Sequence, residues 1–124
     1  MFDFLKRLVN RREATPQDDV YGRSGKWPRV RATHLERQPR CIACGRDKEL
    51  EVHHVRPYHL EPSAELDDGT DGTDGNLVTV CADPCHLVFG HCLSWKRWNP
   101  SVREDCAAFA KRLAEAKAAE AAAR

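Results

Sequence analysis

The sequence predicts a small α+β fold in which a β-hairpin and flanking helices are stapled by four cysteines around a metal ion. Three observations carry this. Cys41 and Cys44 stand as a C-x2-C pair just before the strand-like run LEVHHV (50–55), Cys81 and Cys85 close a second strand-like run NLVTVC (76–81), and helix-forming stretches flank both. A chain of 124 residues allows one core of modest size and a single domain.

The elements follow in order. Phe2, Leu5, Leu8 and Val9 recur at helical spacing beside Lys6, Arg7, Arg11 and Arg12, and EATPQDD (13–19) is a polar, proline-containing linker. Residues 1–22 are therefore assigned to an amphipathic helix that packs locally, and its linker. A helix is expected to begin at Pro28 and to finish before Pro39, carrying Arg29, Arg31 and Arg37, with His34 on its surface. In CIACG (41–45) the glycine allows the backbone conformation that a metal knuckle needs. Between the strands, PYHLEPSAELDDGTDGTDG is a long polar connection whose DGT units read as a solvated loop. An aspartate every third residue lacks the spacing and terminal glutamate of an EF-hand.

CHLVFGHCLSWKRW (85–98) is expected to form one helix opened by Pro84, in which Trp95 and Trp98, at i and i+3, serve as packing residues. The last stretch, rich in Ala, Glu, Lys and Arg, predicts a C-terminal helix. Past Leu113 it has too little apolar surface to dock, so its end should fray; residues 104–124 are set apart as this Ala-rich helix.

Six cysteines in a short chain could form disulfides, but MFDFLKRLVNRR lacks the apolar run and cleavage site of a secretory signal. A cytoplasmic protein with a metal-binding use of its thiols is expected, and no segment reaches the length of a membrane span. A hairpin that brings the two cysteine pairs together closes a tetrahedral, structural zinc site with no position left for water. Zinc would then supply folding energy that a small core lacks. Cys92 and Cys106 have no partner at knuckle spacing and read as packing residues. The net charge of +1 hides an uneven distribution: net +6 over residues 1–48, −7 over 49–75 and +2 over 76–124. The basic first part is suited to approach phosphates.

The order C-x2-C, EVHHV, an Asn-Leu opening the next strand, then Cys and CH opening a helix resembles the HNH family of nucleases in its zinc-containing branch. The letters correspond to His54, Asn76 and His86. The resemblance runs from about Arg23 to Asn99, so residues 23–103 are assigned to this domain. PYHLEP, ELD, FGH and WNP are similar to phrases of the small stand-alone bacterial and phage members. CADPC, with three residues between its cysteines where the family more often has two, and the DGT insertion depart from the pattern.

The resemblance implies a ββα-metal fold and a metal-dependent DNA endonuclease or nickase. By the same resemblance His53 and His86 bind a catalytic divalent cation (Mg2+, Mn2+, Ni2+ or Zn2+), His54 is the general base, and Asn76 fixes the loop that orients His54. Imidazole, with a pKa near 6.5, suits proton abstraction at neutral pH and is a good ligand for Zn, Mn or Ni. His59 and His91 are secondary candidates for phosphate contact or a further ligand. On a regular helix His91 lies about 140° around from His86, so shared coordination needs a bent helix. Contacts to DNA phosphates are expected from Arg23, Lys26, Arg29, Arg31, Lys96 and Arg97. Cutting both strands needs two sites or two visits, so a homodimer is possible. The alternative reading is a zinc-stapled nucleic-acid-binding module that does not cleave, since fold alone does not establish activity.

Overall fold

A computed structural model describes residues 24–69 and 74–124. The helix and linker assigned to residues 1–22, Arg23, and part of the DGT repeat lie outside the described residues.

Helix α1 spans Trp27–Arg37. Pro28 sits in its first turn, where the missing N–H costs nothing, and the approach of Pro39 ends it. Strands β1 (Leu50–His54) and β2 (Leu77–Cys81) form an antiparallel pair in which His53 stands opposite Val78 and His54 opposite Leu77. Side chains opposite each other share a face, and successive residues alternate. His53 therefore lies with Val78 and Val80 on one face, and His54 with Leu77 and Thr79 on the other. All five residues of β2 are buried. The end of α1 is tied to the second face, where Thr79 Oγ1 donates to the Gln38 carbonyl at 2.9 Å.

Beyond β2 the sequence predicted one helix over 85–98. The structure has instead a five-residue π-helical turn, His86–Gly90, followed by an irregular segment. Two contacts explain the early stop. Asn99 N–H and its side-chain Nδ2 donate to the carbonyls of Gly90 and Phe89 at 2.9 Å each, so the end of the turn is capped from downstream. Cys92 and Leu93 then adopt left-handed backbone conformations (φ 51° and 70°), which reverse the chain. Helix α2, Val102–Ala122, starts with Glu104 and Asp105 in its first turn, a favourable arrangement with the helix dipole. It remains helical well past Leu113, where fraying was expected, because alanine with interspersed Glu, Lys and Arg sustains a helix by propensity. Beyond Leu113 every residue is exposed, as the lack of apolar surface implied.

The core is built from small side chains: Ala43, Val55, Val78, Val80 and Val102 with Cys41, Cys81, Cys85 and Cys106, and Phe89 laid against it. Cys106 thus packs as expected, whereas Cys92 is exposed, a correction that follows from the chain reversal. His34 is a second correction. It is 2% exposed, not a surface residue, because its Nδ1 meets Asp68 Oδ1 at 2.6 Å and its Nε2 faces Gln38 Oε1 at 3.1 Å. Arg37 adds an ion pair to the same carboxylate at 2.7 Å, so α1 holds the inter-strand connection down through Asp68. No helix among the described residues is long and apolar enough to cross a membrane.

The DGT segment leaves the fold through a closed neck. Asn76 N–H donates to the Asp67 carbonyl at 2.7 Å, and a Cβ placed on Gly75 would lie 2.4 Å from the Gly69 nitrogen. Residues 69 and 75 therefore already touch. Deleting residues 70–73 should shift the melting temperature by no more than a few degrees, since loop length enters closure entropy only logarithmically. Gly75→Ala should be far costlier, about 2 kcal/mol or more, because φ is +71° and the neck has no room. Thermal denaturation of both variants checks the contrast; equal losses would mean that the neck is not the anchor.

Candidate metal centres and active site

The four knuckle sulfurs converge. One ligand atom from each of Cys41, Cys44, Cys81 and Cys85 lies within 4.8 Å of the others, and Cys44 Sγ and Cys81 Sγ are 3.9 Å apart. Four sulfurs at about 2.3 Å from a tetrahedral zinc stand about 3.8 Å apart, so the spacing fits a closed tetrathiolate site. CADPC reaches it despite its extra residue. The first knuckle is pre-folded: Gly45, at φ 80°, donates to the Cys41 carbonyl at 2.9 Å, and the N–H groups of Ala43 and Cys44 point at Cys41 Sγ. Burial opposes ionisation of Cys41, yet these N–H donors with that of Cys81 bring its pKa down to about 7. Cys85 is pushed the other way by burial and the neighbouring sulfurs. Thiols crowded in this way ionise together only around a cation.

A second cluster lies where the π-turn meets β1. Ligand atoms of His53, His86 and His91 fall within 4.8 Å of one another. His86 Nε2 is 3.2 Å from His53 Nδ1. Nitrogens bound to one ion at about 2.0–2.1 Å and angles of 90–109° stand about 2.9–3.4 Å apart, so this pair already has ligand spacing. His91 joins because the π-helical turn, with its wider i to i+5 periodicity, carries position 91 back toward the side of position 86. The regular-helix angle that kept His91 a secondary candidate does not apply. Its Nδ1–H donates to the Arg97 carbonyl at 2.6 Å, which fixes the tautomer with the lone pair on Nε2.

Burial, followed by repulsion from the other imidazoles, lowers the His53 pKa to about 3, and burial with His91 lowers that of His86 to about 4. Both are neutral at physiological pH, the state in which imidazole binds metals. His53 Nε2 is the one buried side-chain nitrogen or oxygen among the described residues without a hydrogen-bond partner. Such an atom costs about 1–3 kcal/mol. Three imidazoles that converge in this way, one of them with a buried nitrogen left unpaired, form a ligand set built for something the chain itself does not supply. Gly90 makes the convergence possible: a Cβ there would lie 3.0 to 3.2 Å from His53 Cε1, His53 Nδ1 and His86 Cδ2.

His54 points the opposite way. Its ring lies 4.7 Å from that of Trp27, and its Nε2–H donates to the Glu65 carbonyl at 2.9 Å. The neighbouring carbonyl, Ala64, accepts from Asn76 Nδ2 at 3.1 Å. Asn76 is fully buried; its Nδ2 also donates to the Arg56 carbonyl and its Oδ1 accepts from Arg56 N–H at 2.7 Å. It thus secures the turn that orients His54. The Glu65 carboxylate accepts from Ser24 N–H, tying that turn to the start of α1.

Other candidates are dispersed. His59 is exposed and meets Trp98 edge-on at 6.4 Å, away from the three-histidine cluster. Lys26, Arg29, Lys96 and Arg97 are exposed, Arg31 faces Glu51 at 3.7 Å, and Arg23 lies outside the described residues. Trp95 and Trp98, expected to pack, are 59% and 39% exposed, because the chain reversal at Cys92–Leu93 removes the helix whose face they would have shared. Trp95 lies against His86 and His91 at ring separations of 5.2 and 4.9 Å.

Among comparisons with known proteins, residues 41–88 match the family model described as HNH endonuclease. That span contains all four knuckle cysteines with His53, His54, Asn76 and His86. No curated protein and no solved structure matches the chain.

Two substitutions test the two centres separately. Gly90→Ala should weaken Mn2+ or Co2+ binding at the histidines by about 10–100-fold while the tetrathiolate site keeps its ion. Metal analysis together with a Co2+ titration reads this; unchanged affinity would mean that the rings converge without Gly90. Cys44→Ala should release the tightly held ion and abolish the cooperative melting transition, since three thiolates leave the site open. Retention of both would reject the four-cysteine assignment.

Proposed function

We propose, from the match of residues 41–88 to the HNH endonuclease family model, that the chain is a metal-dependent endonuclease or nickase acting on DNA. The observation that carries the reading is the division of two adjacent imidazoles: His53 joins His86 and His91 in a ligand cluster, while His54 is oriented by a backbone carbonyl on the other face.

His53, His86 and His91 would hold the catalytic divalent cation, and the cysteines a structural zinc. A cation held there would supply positive charge to the scissile phosphate and the leaving oxygen. His54 takes the proton of the attacking water. Its Nε2–H donates to the Glu65 carbonyl, which orients the ring and would stabilise the resulting imidazolium. Asn76 acts by position, holding the adjacent Ala64 carbonyl and both backbone groups of Arg56. Lys26, Arg29, Lys96 and Arg97, with Arg23 and Arg31, provide phosphate contacts that place DNA without reading its sequence. A homodimer, or two visits by one protomer, would serve double-strand cleavage.

Nicking of supercoiled plasmid with added Mn2+ or Mg2+ tests the activity; a well-folded, metal-loaded protein that binds DNA and never nicks it would leave a binding module. His54→Ala should lower cleavage by about 10²–10⁴-fold with metal and DNA binding intact. His53→Ala should instead lose the cation, so raising Mn2+ restores part of its activity and none of that of His54→Ala. Equal rescue of both would reject the division of labour.

A further inference from the structure

Trp95 has no structural task that accounts for its position. Its indole is 59% exposed, and its ring contacts are with the imidazoles of His86 and His91, at 5.2 Å and 4.9 Å. The segment that carries it is held firmly. His91 Nδ1–H donates to the Arg97 carbonyl at 2.6 Å, Arg97 Nη1 donates to the Cys92 carbonyl at 3.0 Å, and Leu93 N–H donates to the Leu87 carbonyl at 2.9 Å. Cys92 and Leu93, neither a glycine, sit at positive φ to make the reversal. Left-handed backbone at such residues costs about 1–2 kcal/mol each. The fold accepts that cost to hold a large aromatic ring in solvent at the rim of a ligand cluster.

The surroundings identify what such a ring receives. Lys96 and Arg97, both exposed, adjoin it, and Trp98 follows at 39% exposure. Aromatic rings among cations suit a chain of alternating flat bases and phosphates. A base is joined to its phosphate through a single sugar, so a phosphate at the histidine cluster brings its own nucleotide's base near the indole. In an intact duplex both faces of that base are covered by its neighbours in the stack. Only an unpaired, unstacked base has a face to offer.

We propose that Trp95 is a stacking platform for an unpaired nucleobase, so that the site engages DNA in single-stranded form at the nucleotide beside the scissile phosphate. This rests on the nuclease reading for the placement of the phosphate, and binding measurements separate the two. The full chain carrying His54→Ala is titrated, with Mn2+ present, into a fluorescein-labelled 12-nucleotide single strand and into a 12-base-pair duplex containing it, read by anisotropy.

Adding Trp95→Ala should weaken single-strand binding by about 5- to 150-fold, the range for loss of one stacked base, and duplex binding by less than 2-fold. Trp95→Phe should retain most of the single-strand affinity, and quenching of tryptophan emission by the single strand should be largely lost in Trp95→Ala. Retained metal content and melting temperature verify folding. Unchanged single-strand affinity, or an equal loss on both DNAs, would overturn the proposal, the latter assigning Trp95 to general support of the site. If the chain with His54 intact never nicks plasmid yet the Trp95-dependent preference stands, the nuclease reading fails and the platform survives; if that chain nicks and Trp95→Ala leaves single-strand binding normal, the platform alone fails.

Discussion

A two-stranded antiparallel ribbon has too little apolar surface to persist in water unaided, and the buried members of the core cluster around this one are valine, alanine and cysteine. The convergence of four sulfurs at its base is therefore the constraint on which the rest of the molecule depends. Cys81 is the last residue of β2, and Cys85 directly precedes His86. The grip that gathers the thiols thus also sets where the π-turn leaves the sheet and how closely His86 meets His53. One set of side chains holds the fold, and its geometry is inherited by a second set, the three converging imidazoles.

The alternation of the β-strand does the remaining division. Adjacent residues on a strand face opposite ways, so a His-His pair cannot enter one ligand cluster unless the strand is distorted. Here β1 is undistorted, and each imidazole meets a different environment: His53 is enclosed by other imidazoles, and His54 lies between Trp27 and the Glu65 carbonyl. Desolvation keeps His53 neutral. The carbonyl keeps a proton on His54 Nε2.

Legibility in the sequence followed the range of the interaction concerned. The knuckles, both strands, α1 and the start of α2 come from local signals: paired cysteines, alternating valines, a proline in the first turn. The family pattern added His53, His86 and Asn76. What stayed hidden depends on contacts made at a distance. A regular helix over 85–98 would send His91 and Trp95 away from His86; caps from Asn99 and two left-handed residues bring both back, and nothing in FGHCLSW announces them. His34 looked like a solvated helix residue because its partner, Asp68, lies 34 positions away. Gly90 could be read only once the imidazoles it makes room for were in place.

The π-helical turn and the pinched neck give this small domain opposite responses to changes in chain length. Between His86 and His91 every added or lost residue rotates one imidazole about the turn axis by roughly a quarter of a revolution, so the spacing is fixed as firmly as the ligands themselves. Between Gly69 and Gly75 the backbone strands are already in contact, and whatever is inserted there begins and ends at the same point. Insertions and deletions accumulating in descendants of this chain should be crowded into the neck and absent from the turn. A foreign peptide spliced at the neck would ride on the nuclease-like core without passing through it.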